Sequence, residues 1–101
     1  MRKTIMRTMA IIALSSPALA QDREAIAAGR EIYKEKCEAC HGVGLEPTGA
    51  GADLRELRAD DKAKYEKTLK EGRNQMPSWD GQFSAQQVEQ IWAYIRSRAN
   101  D

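Results

Sequence analysis

The chain has one histidine and two cysteines, so two imidazoles cannot come from a single chain to one metal. No apolar run approaches the ~20 residues that a membrane-spanning helix needs. Neither sign of charge dominates. Sixteen Lys and Arg against fifteen Asp and Glu give +1, with no basic excess of the kind that marks nucleic-acid binders. No segment alternates with the period of two expected of half-buried strands. At 101 residues the chain has room for one small domain and none for a two-domain enzyme.

Acidic residues are also missing from the first 20 positions. There, Arg2, Lys3 and Arg7 precede a short apolar core at residues 8–14. Ser15, Ser16 and Pro17 break it, and Ala18-Leu19-Ala20 supplies a small-x-small cleavage pattern. Residues 1–20 therefore read as a secretory signal peptide, with residues 21–101 as the folded domain. Cleavage leaves 81 residues, with 13 basic and 15 acidic side chains and Met76 as the one methionine. A domain of that size buries little apolar surface and usually needs a staple. Cys37 and Cys40 are too close in sequence to constrain much of it as a disulfide.

What is there instead is Cys37-Glu38-Ala39-Cys40-His41, a C-x-x-C-H sequence, the pattern of covalent c-type haem attachment. Two thiols three positions apart on a helical turn can each add to a vinyl group on one haem edge. The adjoining His41 then brings its imidazole under the iron as proximal ligand. The alternatives fit less well. A thioredoxin-like redox pair needs a βαβ pattern that the chain lacks, and a zinc site needs a fourth ligand. A plain disulfide gives His41 no role.

Met76, 35 residues after His41 and directly before Pro77, is the candidate distal ligand. A thioether favours Fe(II), raises the reduction potential and closes the coordination sphere. Core packing is the commoner fate of a methionine, but Met76 lies in a loop rather than on a helix stripe. Trp79, three residues on, either lines the haem pocket, donates its indole N–H to a propionate, or simply packs in the core.

These residues together resemble a class I c-type cytochrome, the small bacterial monohaem kind, over residues 24–98. The resemblance implies an all-α fold: a small cytochrome c fold, three to four helices wrapped around one covalently bound haem c. Helical periodicity agrees. In residues 23–36, Ile26, Gly29 and Tyr33 share a face, with Gly29 expected to admit an aromatic, Trp92 or Tyr94. Asp60 or Asp61 is placed to cap a helix running to Glu71, with Gly72 just past its end. That helix buries Tyr65 and Leu69 and pairs Lys62/Glu66, Glu66/Lys70 and Lys67/Glu71. Leu54 and Leu57 suggest a short helical turn before it. Residues 84–98 carry a capping box of Ser84 and Gln87, a staple of Phe83 and Val88, and a stripe of Val88, Ile91, Trp92 and Ile95. The glycine-rich residues 42–52 read as a loop, which Pro47 can stiffen. In the resembled family a Gly-Pro-x-Leu proline in this loop lends its carbonyl to the proximal histidine. Here the stretch is Gly51-Ala52-Asp53-Leu54, which leaves Ala52 to offer that carbonyl.

Residues 55–73 hold seven basic and five acidic side chains. They form a solvated face, a docking patch, or propionate partners in Arg55 or Arg73. The expected function is that of a periplasmic one-electron carrier and not an enzyme. It would meet redox proteins transiently: a dehydrogenase donor such as a quinoprotein alcohol dehydrogenase, and an oxidase or another cytochrome as acceptor. It is expected to be a monomer, with no nucleic-acid partner and no stable membrane insertion. Two other readings are a haem protein that binds gases or ligands by displacing Met76, and a cytochrome subunit of a larger oxidoreductase complex.

Overall fold

Ser84 begins the best-specified helix. Its Oγ accepts the Gln87 N–H at 3.1 Å while Gln87 Oε1 accepts the Ser84 N–H at 2.9 Å, so two otherwise orphaned donors are satisfied reciprocally. In the computed structural model, which describes residues 17–100, this is the last of four α-helices. They are α1 (Pro17–Lys36), α2 (Glu38–His41), α3 (Lys62–Glu71) and α4 (Ala85–Ser97). Short 3₁₀ turns occupy Val43–Leu45, Leu54–Glu56 and Ala59–Asp61. Among the described residues there is no strand, only an isolated bridge between Arg73 and Met76. The all-α expectation holds. Most of the segment expected to be a signal peptide, residues 1–16, lies outside the described residues, and residues 17–20 form the first turn of α1.

The core is one cluster of Tyr33, Leu45, Tyr65, Leu69, Ile91, Trp92, Tyr94 and Ile95. Helices α1 and α4 form the main packing pair. Gly29 is the small residue at that contact, but not for the expected reason. A Cβ there would collide with the Gln90 carbonyl and the Ile91 nitrogen, so glycine admits the backbone of α4 rather than an aromatic ring. The rings pair elsewhere, Tyr33 with Tyr94 at 5.2 Å between centroids and Tyr65 with Trp92 at 4.9 Å. Such pairs contribute about 0.5–1.5 kcal/mol beyond their burial.

Helix α3 corrects two further expectations. Neither Asp60 nor Asp61 caps it through a side chain; Asp61 Oδ2 instead accepts the Arg58 N–H at 2.8 Å and closes the preceding 3₁₀ turn. Lys62 bypasses Glu66 and reaches Glu89 of α4 at 2.7 Å, tying the two helices, whereas Lys67 and Glu71 do pair along α3 at 3.9 Å. The end of α4 then anchors the loops. Arg96 Nη1 donates to the Leu57 carbonyl at 2.6 Å, Arg98 Nε to Gly44 at 2.8 Å, and the Asn100 N–H to Arg55 at 2.8 Å.

Candidate functional site

Helix α1 delivers the attachment motif directly. The Cys37 N–H still bonds back to the Tyr33 carbonyl at 2.9 Å, and Cys37 turns the chain into the single turn of α2. The N–H groups of Cys40 and His41 both bond the Cys37 carbonyl, at 3.2 and 3.0 Å, which places the two cysteines across one helical turn as the spacing predicts. The two cysteines form no disulfide; Cys37 is half-buried and Cys40 exposed. Before any thioether forms, burial, with the adjacent Cys40 adding to it, pushes the Cys37 thiol up to about 11.

The ring of His41 is held on two sides. Its Nδ1 lies 2.9 Å from the Ala52 carbonyl oxygen; a carbonyl only accepts, so Nδ1 is the donor, and Nε2 is the ring nitrogen left to offer a lone pair to a metal in the neutral tautomer. The carbonyl contact therefore forms although proline is replaced by Ala52. Gly51 covers the ring closely enough that a Cβ would sit 2.8 Å from Nδ1 and 3.0 Å from Cε1. No larger residue fits there unless something moves. Around this segment, Thr48 Oγ1 donates to the Cys40 carbonyl at 3.1 Å. Tyr33 Oη donates to the Gly42 carbonyl at 2.5 Å. Burial, with Cys37 and Tyr94 nearby, raises the Tyr33 phenol to about 12.

Met76 sits in a loop, half-buried against the core. Arg73 and Met76 exchange backbone hydrogen bonds at 3.0 and 2.9 Å across a tight turn in which Asn74 takes a left-handed φ of 55°. The loop is then fastened to the end of α3. The Trp79 N–H bonds the Leu69 carbonyl at 2.7 Å, and Ser78 Oγ donates to the Lys70 carbonyl at 2.5 Å while accepting the Asp80 N–H at 3.2 Å. Gly72, at φ 75°, ends α3 as expected, and it does more. A Cβ there would stand 2.7 Å from the Met76 carbonyl oxygen and 2.9 Å from the Ser78 nitrogen.

The remaining candidates divide. Trp79 is half-buried and stacks on Phe83, centroids 5.3 Å apart, beside a groove bordered by Leu69, Lys70, Ala85 and Val88. Arg55 is committed to Asp53 at 3.0 Å and Glu46 at 3.5 Å, whereas Arg73 is exposed at the head of the Met76 turn. Sequence reasoning missed Ser78, Asp53 and Glu46 as supports of the site; a serine and two acids on loops give no periodic signal. No group of three or more His, Cys, Asp or Glu among the described residues forms a separate metal site.

A thiol pair across one turn, an imidazole with its Nε2 free and a thioether loop suit a haem iron. Residues 24–95 match the family model described as cytochrome c oxidase, cbb3-type, subunit III. The chain belongs to the c-type cytochromes. It is 30% identical over 94 residues to a cytochrome c6 of Synechococcus, covering 86% of this chain and 80% of that one, and 29% identical to a cytochrome c6 of Nostoc, covering 87% and 81%. It is also 37% identical over 87 residues to the quinohemoprotein alcohol dehydrogenase ADH-IIG of Pseudomonas putida. That match covers 84% of this cytochrome but only 12% of the dehydrogenase. No solved structure matches the chain. As a c-type cytochrome it takes covalent haem c, and its sequence holds a single C-x-x-C-H motif.

Proposed function

We propose that Cys37 and Cys40 form the thioether links to haem c, that His41 Nε2 and Met76 Sδ ligate its iron, and that the cytochrome shuttles single electrons between redox proteins outside the cytoplasm. The observation that carries this reading is the His41 ring, with its Nδ1 engaged by Ala52 and its face covered by Gly51, so that Nε2 alone is left to coordinate. The haem supplies the Fe(III)/Fe(II) couple; the chain supplies everything that keeps that couple reversible. His41 stays oriented in both oxidation states because its partner is backbone. The Met76 loop is tied on both sides, and Met76 as second ligand would leave no position for O₂ or substrate. Half-buried Leu54, Leu57, Met76 and Trp79 keep the surroundings apolar, which favours the less charged Fe(II) state. This makes the protein a carrier rather than a catalyst.

The signal-like residues 1–20 support export to the periplasm, and cleavage after Ala20 would remove the first turn of α1. Likeness to a segment of a quinohemoprotein alcohol dehydrogenase supports such an enzyme as electron donor, with an oxidase or another cytochrome as acceptor, met through small, transient contacts. The same likeness, with the oxidase-subunit family model, favours a second reading in which this domain works inside a larger oxidoreductase. Purification in moderate salt separates them: a carrier elutes alone as a monomer, a subunit with its complex. The test of the closed iron is exposure of the reduced protein to CO at neutral pH. The carrier leaves the spectrum nearly unchanged; ready CO binding would show Met76 to be displaceable and the protein a ligand binder.

A further inference from the structure

Three charged side chains surround the segment that holds the His41 ring, and neither ligation nor attachment uses them. Asp53 follows the carbonyl that accepts the His41 proton. Its Oδ1 accepts the Arg55 N–H at 3.0 Å and so caps the 3₁₀ turn Leu54–Glu56. Its two oxygens also take Arg55 Nε and Nη2, at 3.0 and 3.1 Å, as a parallel fork. Arg55 Nη1 then reaches Glu46 across the loop at 3.5 Å, and the Arg55 carbonyl is held by Asn100. The pair holds Asp53 as carboxylate, depressing its pKa below the ordinary value through the hydrogen bonds from Arg55. Asp53 and Arg55 are about three-quarters sheltered, whereas Glu46 is 77% exposed.

Peptide planarity makes this arrangement matter to the ring. The Ala52 carbonyl and the Asp53 nitrogen belong to one rigid unit, so whatever fixes the backbone of Asp53 also fixes where the Ala52 oxygen points. Gly51 blocks the ring on one side, and the Ala52–Asp53 peptide holds its proton on the other. We infer that Asp53 and Arg55 are positioning residues for the iron-ligating imidazole, with exposed Glu46 outside that role: they aim the Ala52 carbonyl at His41 Nδ1 and through that bond lower the reduction potential. A firmly accepted Nδ1 proton makes the ring a stronger donor to Fe(III). Loosening it raises the potential, the opposite direction from losing Met76. The inference rests on haem ligation by His41.

The test uses the haem-loaded protein, in wild-type form and as Asp53→Ala, Asp53→Asn, Arg55→Met, Glu46→Ala and the double variant Asp53→Ala/Ala52→Pro. Two quantities are read: the reduction potential, and the exchange rate of the His41 Nδ1 proton by NMR in the diamagnetic reduced state. Asp53→Ala should raise the reduced-to-oxidised ratio at fixed ambient potential about threefold, ~28 mV on the scale of about 59 mV per tenfold for one electron, and speed exchange severalfold. Arg55→Met and Asp53→Asn, which keeps a turn-capping oxygen but loses the ion pair, should fall between it and wild type. Glu46→Ala should change little, being exposed. Ala52→Pro, by stiffening residue 52, should restore both readouts in the Asp53→Ala background. If the variants lose only thermal stability while potential and exchange stay at wild-type values, or if proline restores neither, the positioning role is wrong and the haem reading stands. If wild type itself binds no haem, both are overturned.

Discussion

The segments that carry His41 and Met76 are built by different means. The histidine is a hydrogen-bonding group, so the fold takes hold of the side chain itself: Ala52 accepts its proton, Gly51 lies against the ring, and Asp53 pairs with Arg55 in the same loop. A thioether offers no proton to hold. The fold therefore confines the backbone on both sides of Met76, through the exchanged bonds with Arg73 and through Ser78 and Trp79 on the carbonyls of Leu69 and Lys70. On the proposed ligation, the histidine is held by its side chain, whereas the methionine is held only through its backbone. The methionine side is consequently where the site should open first, and the histidine side is where its potential should be tuned.

The largest expected effect comes from removing what both sides share. Cys37→Ala/Cys40→Ala should yield protein without covalent haem, whose pigment extracts into acidified organic solvent and which melts well below wild type, because so small a domain depends on its staple. Next is Gly51→Ala. With a Cβ 2.8 Å from Nδ1, the loop must withdraw from the ring, and the cost should be about 1–3 kcal/mol in denaturant unfolding together with a raised potential. On the other side, Ser78→Ala removes one bond to an α3 carbonyl. It should cost about 1 kcal/mol and speed CO entry to the reduced iron, with little change in potential; a potential that moved as far as in Gly51→Ala would erase the contrast between the two loops. The smallest effect is one of pH. The Tyr33 phenol titrates near 12 in the fold and near ~10 unfolded, so its contribution is complete below pH ~10 and fades as the pH rises toward 12. Melting temperature should fall over that window, less so in Tyr33→Phe, and burial of Tyr65, which also raises its phenol, should account for the remaining decline.

Local signals in the sequence were legible where one segment decides the outcome. The C-x-x-C-H turn, the Ser84–Gln87 box and the end of α3 at Gly72 each depend on residues within a few positions, and each stands where expected. Expectations went astray where a residue had a competing partner, whether local or on another segment. Asp61 had two donors within reach, and Arg58 took it from the helix start. Lys62 had Glu66 one turn away along α3, but α4 brings Glu89 closer. Gly29 faces backbone because the close approach of α1 and α4 is set by both helices together. Arg55, a candidate propionate partner from the sequence, pairs in the fold with Asp53 and Glu46. The supports of the site are contacts made by loop residues, and such contacts leave no periodic trace in the sequence.

The most direct test of the account is the oxidised optical spectrum of wild type beside that of Met76→Ala. A six-coordinate, low-spin spectrum with the weak far-red band of sulfur on Fe(III), lost in the variant together with a fall in potential, is the predicted result. A wild-type spectrum that is five-coordinate, or a band and potential that survive the substitution, would contradict it.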